Sequence, residues 1–368
     1  MTPTSCRRSR TCRKSSASSS TSRTSISPTS ARKGSGSPRS SQQPPRSRTR
    51  SGTRQALTST RCRSRAKRCC ARCARRKTGD ERRSELELLR PESAEAASAA
   101  LGNGSVALAG GTELVPLLRD GIVRAEKLVE LRDVVPRGVD GTRIGAGTTL
   151  AELEADPEIP QALREACSLA ASPQLRSMST LGGNLLQATR CWYWRLKFPC
   201  YLHGGDVCHA KAGQHREHAI FGNERCASAH PSDPAAALLA LDARLLTTAR
   251  ELPLAELYQL PTDDDRNVTA LEPGELILEL EVPQPQASVY LKAMERRKWS
   301  FPIVGVAAAR FAEGIRLALA GVSPIPWALS SVDALDQATP LPGTVYKVQI
   351  ARALIRRAVE AVNAPAGA

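Results

Sequence analysis

All five histidines of the chain (His203, His209, His215, His218, His230) and four of its cysteines (Cys191, Cys200, Cys208, Cys226) fall between residues 191 and 230. These cysteines are separated by eight, seven and seventeen residues. Structural zinc favours close ligand pairs, about two to four residues apart. Widely spaced single thiolates therefore point first to a [4Fe-4S] cluster, with zinc and unligated thiols as the other readings. Disulfides are disfavoured, because nothing in the sequence points to secretion. Trp192, Tyr193, Trp194, Phe198 and Tyr201 crowd the start of this island, and no aromatic residue precedes Trp192. Such side chains would shield a centre from water and tune its potential. Gly204-Gly205-Asp206 and the lack of helical periodicity predict an irregular loop. His218, before Ala219-Ile220-Phe221, and His230, before Pro231-Ser232-Asp233, read as residues that pack or hydrogen-bond locally rather than as ligands.

Two glycine turns form a second group. Val106-Ala107-Leu108-Ala109 is an apolar strand entering Gly110-Gly111-Thr112, and Thr112 to Leu118 reads as a helix start. A strand, glycine turn and helix in that order let backbone approach a ligand closely, and the free amides favour an anion such as a pyrophosphate. Ser179-Thr180-Leu181-Gly182-Gly183-Asn184-Leu185 is a second such turn, and the two could grip one phosphate group from opposite sides.

The elements that must hold these groups begin near residue 84. The chain has 368 residues, and residues 1–83 hold 24 basic and 2 acidic side chains (+22) against 28 and 34 (−6) in residues 84–368. The first segment contains no Phe, Trp or Tyr and is dominated by Ser, Arg, Thr and Pro, a composition that cannot offset chain entropy by burial. It reads as a disordered tail, or as residues upstream of a start codon set too early. Its Cys70-Ala71-Arg72-Cys73 lacks a second ligand pair, and polar residues follow Arg7-Arg8 where an export signal needs an apolar stretch. No run of about 18 apolar residues crosses a bilayer. Beyond it, a strand at residues 86–89, an alanine-rich helix opened by Ser93, a strand at Lys127 to Leu131, a strand at Thr142 to Gly147, a helix from Thr149 and a helix from Gln161 to Ala171 form an α/β pattern, with Cys167 on the buried face of the last. After about Pro261 strands dominate, at Glu275 to Val282, Val289 to Met294, Pro302 to Phe311 and Ile315 to Ala320, and helices at Ser330 to Leu335 and Val348 to Val362 close the chain.

Four segments in order, Ala109 to Leu114, Ser172 to Leu185, Arg190-Cys191-Trp192-Tyr193-Trp194-Arg195 and His230 to Asp233, resemble the FAD-binding subunits of molybdenum hydroxylases, the xanthine dehydrogenase group. The likeness runs from about Glu85 almost to the C-terminus. It implies an α+β fold of the FAD-binding PCMH, or vanillyl-alcohol-oxidase, type: an N-terminal FAD-binding subdomain (84–140), a central one carrying the Cys-rich loop 191–226 (141–260), and a C-terminal α+β domain (261–368). By position it assigns Ala109, Gly110, Gly111, Thr112, Glu113 and Leu114 to the pyrophosphate through the first turn, and Thr180, Gly182, Gly183 and Asn184 through the second. Asp233 matches a position near the cofactor, and Lys292 a lysine on the flavin side. Pro234 stands where Leu is common in the family and Glu113 where Asp is common. A subset that includes 4-hydroxybenzoyl-CoA reductase carries an extra [4Fe-4S] cluster on an inserted loop, which assigns Cys191, Cys200, Cys208 and Cys226 as its ligands.

The resemblance implies an electron-transfer oxidoreductase subunit located in the cytoplasm. A molybdopterin-binding large subunit would oxidise substrate, and a [2Fe-2S] small subunit would pass electrons to FAD here and on to NAD or another acceptor. Two rival readings are a basic-tailed nucleic-acid-binding or structural protein and a stand-alone flavin oxidase. The second commonly carries a flavin-linking His near the glycine turns, and no His precedes His203.

Overall fold

The computed structural model describes residues 86–102 and 104–365; the basic segment 1–83, with its six cysteines, lies outside the described residues. The first elements are β1 (Glu87–Leu89), α1 (Ala94–Ala100), β2 (Ser105–Leu108), α2 (Leu114–Arg119) and β3 (Lys127–Glu130). Their strands form a parallel sheet in the order β1-β3-β2. Ser93 caps α1 by accepting from the Ala96 N–H. Strand β2 leads into Gly110-Gly111, and the φ of +70° at Gly111 is open to glycine at no steric cost, which lets the chain double back into α2.

The middle group holds β4 (Val139–Asp140), β5 (Arg143–Gly145), α3 (Leu150–Ala155), α4 (Gln161–Leu169), α5 (Pro173–Arg176) and α6 (Leu181–Leu185). It continues with α7 (Trp192–Arg195), α8 (His209–Ala212), α9 (Asp233–Ala240), β6 (Arg244–Thr247), β7 (Glu251–Pro253), α10 (Leu254–Leu257) and β8 (Ile277–Glu281). The five strands are antiparallel in the order β4-β5-β8-β6-β7. A reciprocal box between Thr149 and Glu152 starts α3. Helix α4 buries Ala162, Leu163, Ala166 and Cys167. Helix α9 is apolar on nearly every side and is buried against α4, α6 and the C-terminal strands. A helix buried all round has no polar face, so no periodicity marks it in the sequence. Pro234 sits in its first turn, where a missing N–H costs nothing.

The last group is an antiparallel sheet, β9 (Ala287–Ala293), β10 (Val304–Phe311), β11 (Gly314–Ala320) and β12 (Trp327–Leu329), in the order β12-β11-β10-β9. Helix α11 (Val345–Asn363) lays Ala351, Leu354, Ile355, Ala358 and Val362 on that sheet, at the spacing of one helical face.

Three local expectations change. Strand β8, expected among the C-terminal strands after residue 261, pairs inside the middle sheet between β5 and β6. The helix expected at Ser330 to Leu335 is a 3-10 turn at Val332–Gln337. The Cys-rich stretch, expected to be irregular, contains α7, α8 and a 3-10 turn at Tyr201–His203, each too short to show a period. Among the described residues no helix is long and apolar enough to cross a membrane.

Candidate functional site

The two glycine turns meet face to face. Thr112 Oγ1 lies 2.9 Å from Ser179 Oγ. A Cβ added to Gly110 would stand 1.7 Å from the Met178 carbonyl oxygen, so only glycine permits this approach. Among the described residues, no acceptor pairs with the N–H groups of Gly110, Gly111, Thr112, Glu113 or Leu114. Five consecutive N–H groups on half-buried residues, none with an acceptor, are the kind of donor set that receives an anion. The second turn is organised differently, because its amides are spent on the fold. The Leu181 N–H donates to the Thr148 carbonyl, the Gly182 N–H to the Ala146 carbonyl and the Gly183 N–H to Thr180 Oγ1. Gly182 packs on Ala146, while Gly183 is exposed. The second segment meets the first through the Met178–Ser179 backbone, and the first has the free donors. Asn184 faces inward, its Oδ1 accepting from Ser232 Oγ at 2.6 Å, which ties α6 to the cap of α9.

Asp233 and Lys292 meet each other. Lys292 Nζ donates to Asp233 Oδ2 at 2.8 Å and to the Leu169 carbonyl at 3.0 Å, with side chains 1% and 3% exposed. The Tyr290 hydroxyl donates to Asp233 Oδ1. Burial raises the Asp233 carboxyl, against the opposing pull of Lys292 and Tyr290. These three side chains are spent on one another, so they fix α9 against β9 behind the second turn.

In the Cys-rich stretch all four cysteines are free thiols and line one small pocket, about 260 Å³ counted to its open mouth, walled also by Tyr193, Trp194 and Tyr201. No three His, Cys, Asp or Glu side chains among the described residues gather as a single-ion site. Burial pushes the Cys191 and Cys200 thiols up. Cys208 is held below the usual thiol range beside Cys226, whose own thiol is raised by that neighbour and by burial and whose Sγ donates to Ser228 Oγ at 3.3 Å. Arg266 pins the turn by donating to the Tyr201 and Gly205 carbonyls at 2.9 and 2.7 Å. His203, His209 and His215 contact the carbonyls of Trp194, Pro199 and Ala210, and His230 Nδ1 accepts from the Ser232 N–H. His218 differs: its Nε2 is 3.2 Å from Cys191 Sγ.

Glu113 joins the two regions. Its carboxylate accepts from Arg195 Nη2, while Arg190 Nη2 lies 2.7 Å from Oε2 in a geometry that leaves that oxygen and the Arg190 Nε without a hydrogen bond. The side chain of Glu113 therefore turns away from the donor surface to which its N–H belongs. A second cavity, about 640 Å³ counted to its open mouth, lies beside Cys191 and is lined by Arg190, Trp192, His218, His230 and Phe301. No glycine-turn residue lines it. Sequence reasoning gave no role to Ser179, Arg190, Arg195, Tyr290 or Phe301. The two arginines flank Cys191-Trp192-Tyr193-Trp194 and could have been suspected as partners of the acidic residue in the first turn. Phe301 lies 68 residues beyond the last motif, which ends at Asp233, and no local signal marks it.

Residues 84–285 match the FAD binding domain in molybdopterin dehydrogenase. The chain is 37% identical over 253 residues to the aldehyde oxidoreductase FAD-binding subunit PaoB of Escherichia coli (strain K12), a match spanning 63% of this chain and 79% of that one. Among solved structures, the Cu,Mo-CO dehydrogenase in its cyanide-inactivated form matches with a TM-score of 0.53 at 25% identity, over 75% of this chain and 97% of that chain. The quinoline 2-oxidoreductase from Pseudomonas putida 86 shares the fold at 19% identity and a TM-score of 0.53, over 75% and 96%. The mixed helix and strand fold is thus that of the CO dehydrogenase medium chain. The chain belongs to the FAD binding domain in molybdopterin dehydrogenase family and is an FAD-binding oxidoreductase subunit of the molybdenum-containing aldehyde oxidoreductase and CO dehydrogenase type.

Proposed function

We propose that this chain is the electron-transfer flavoprotein of a three-subunit molybdenum hydroxylase, with the FAD pyrophosphate held between its glycine turns. The observation that carries the reading is the run of five N–H groups from Gly110 to Leu114 without acceptors, beside the Met178–Ser179 backbone that Gly110 approaches. Ala109 and Thr112 shape the donor side, and Thr180, Gly182, Gly183 and Asn184 form the opposite wall. Asp233 and Lys292 support the flavin site from behind, holding α9 and β9 in place. The open pocket beside Cys191, whose Arg190 also pairs with Glu113 of the first turn, would hold the ring end. FAD, when bound, supplies electron exchange in single steps or in pairs.

The PCMH-type division into subdomains 84–140 and 141–260 and a C-terminal domain 261–368 belongs to this reading. So does a [4Fe-4S] cluster held by Cys191, Cys200, Cys208 and Cys226. Four free thiols lining one pocket suit a cubane. A molybdopterin-binding large subunit and a [2Fe-2S] small subunit would assemble with it in the cytoplasm, with NAD or another acceptor taking the electrons.

The test is the flavin and iron content of full-length protein purified anaerobically with its two companion subunits. Stoichiometric FAD is expected in the unaltered protein and a large loss in Gly183→Val, whose added Cβ would stand 2.9 Å from the capping Thr180 Oγ1 on this exposed turn. A folded Gly183→Val protein with full flavin overturns the assignment of the turns.

A further inference from the structure

We infer that His218 is a positioning residue for Cys191, donating its Nε2–H to the Cys191 sulfur and thereby raising the reduction potential of the cluster that this sulfur holds. The inference rests on the proposed [4Fe-4S] reading of the four cysteines. His218 Nε2 is 3.2 Å from Cys191 Sγ, the one histidine contact to sulfur among the described residues. The side chain is 3% exposed, and its Nδ1 is buried without any hydrogen-bond partner.

That orphaned nitrogen decides where the proton sits. A buried N–H without an acceptor is a rarer and costlier defect than a buried lone pair without a donor. The proton therefore resides on Nε2, aimed at the sulfur, and Nδ1 keeps the lone pair. The ring cannot swing away, because Trp192 meets it edge-on with centroids 5.1 Å apart and the chain is fastened on both sides. Before it, Lys347 Nζ donates to the Glu217 carbonyl at 2.9 Å. After it, the Ala219 N–H donates to the Ala227 carbonyl at 2.8 Å, beside Cys226.

Cys191 is also the one cysteine of the four that lines both cavities. An electron passing between the cluster and the larger cavity would meet the Cys191–His218 wall first. On reduction the cluster gains one electron; no bond forms or breaks, and the proton stays on Nε2. An N–H donated to a ligand sulfur favours the more negative, reduced state.

The test is a redox titration of the cluster in full-length protein with its companion subunits, with dithionite as reductant and the reduced-cluster paramagnetic signal as readout. His218→Leu, which cannot donate, is expected to make reduction about tenfold less favourable, about 59 mV lower for one electron. His218→Gln, which keeps an N–H at similar reach, should recover most of that shift. A His218→Leu protein with full iron and an unchanged potential overturns the inference. A second measurement needs no variant: with isotopically labelled histidine nitrogen, the reduced cluster should show coupling to one histidine and to an exchangeable proton, and absence of both overturns it. An unaltered protein without iron and sulfide overturns the cluster reading instead, so the two failures are told apart.

Discussion

The glycine-turn surface and the Cys-rich stretch sit side by side but are built on opposite principles. The first works through missing side chains: Gly110 lets backbone meet backbone at Met178, and the working groups are main-chain N–H donors. The core behind it is continuous, from α4 through α9 to β10. The second works through side chains, four thiols and a ring of aromatics, on segments of one helical turn each. Short turns of this kind are marginal alone and depend on tertiary ties. One surface should therefore persist without its ligand, whereas the other needs its centre to stay ordered.

The largest effect that would sharpen this contrast is loss of the centre itself. Cys208→Ser should abolish iron binding and amide-exchange protection across residues 191–226 while protection at the glycine turns is retained. Retained protection in an iron-free protein would break the contrast. Next comes the support behind the glycine turns. Lys292→Met leaves Asp233 buried beside an apolar side chain, and losing one partner of a buried pair costs roughly 3–5 kcal/mol. Denaturant unfolding should show a loss of that size, larger than for any single exposed ion pair such as Arg352 with Asp336.

The contrast also governs what the sequence disclosed. Strands β2, β3, β5, β10 and β11 and helices α1, α3 and α4 are legible because alternation, caps and one-sided faces mark them. The first glycine turn is legible as a turn, because a strand runs into Gly110-Gly111, but its ligand is not, since a Gly-Gly pair by itself is most often only a turn. Helix α9 is not, since it is apolar on nearly every side, and β8 could not be assigned to a sheet because pairing partners more than 30 residues distant leave no local trace. The cysteines were recognisable by type and crowding. Their shared cavity, the meeting of His218 with Cys191, and the Glu113 bridge to Arg195 depend on how loops cross in space.

That bridge gives the next prediction. Glu113→Gln keeps the shape but removes the charge that two arginines share, and hydrogen bonds to charged groups contribute about 1.5–3 kcal/mol. Flavin retention and order in residues 191–226 should fall together, and an unfolding cycle with Arg195→Met should show that the two losses do not add. Full additivity would make the two regions independent.

The smallest effect concerns the anchor of the Cys-rich stretch on α11. Lys347 is fully buried and donates to the Glu217 and Gly321 carbonyls, and burial lowers its ammonium to about 7. In the unfolded chain the same group holds its proton to about pH 10.4. Between these values the unfolded state binds more protons than the folded one, so stability rises with pH, by at most about 1.4 kcal/mol per pH unit from this group. Below pH 7 both states are protonated at Lys347 and its contribution to the slope vanishes. Lys347→Met, which cannot titrate, isolates this group: the difference between the two proteins' unfolding free energies, measured from pH 7 to 9, should shift steadily in favour of the unaltered chain. A difference independent of pH would mean that Lys347 stays charged in the fold, its ammonium stabilised by the two carbonyls, and that the stretch is held by a cation rather than by a neutral amine.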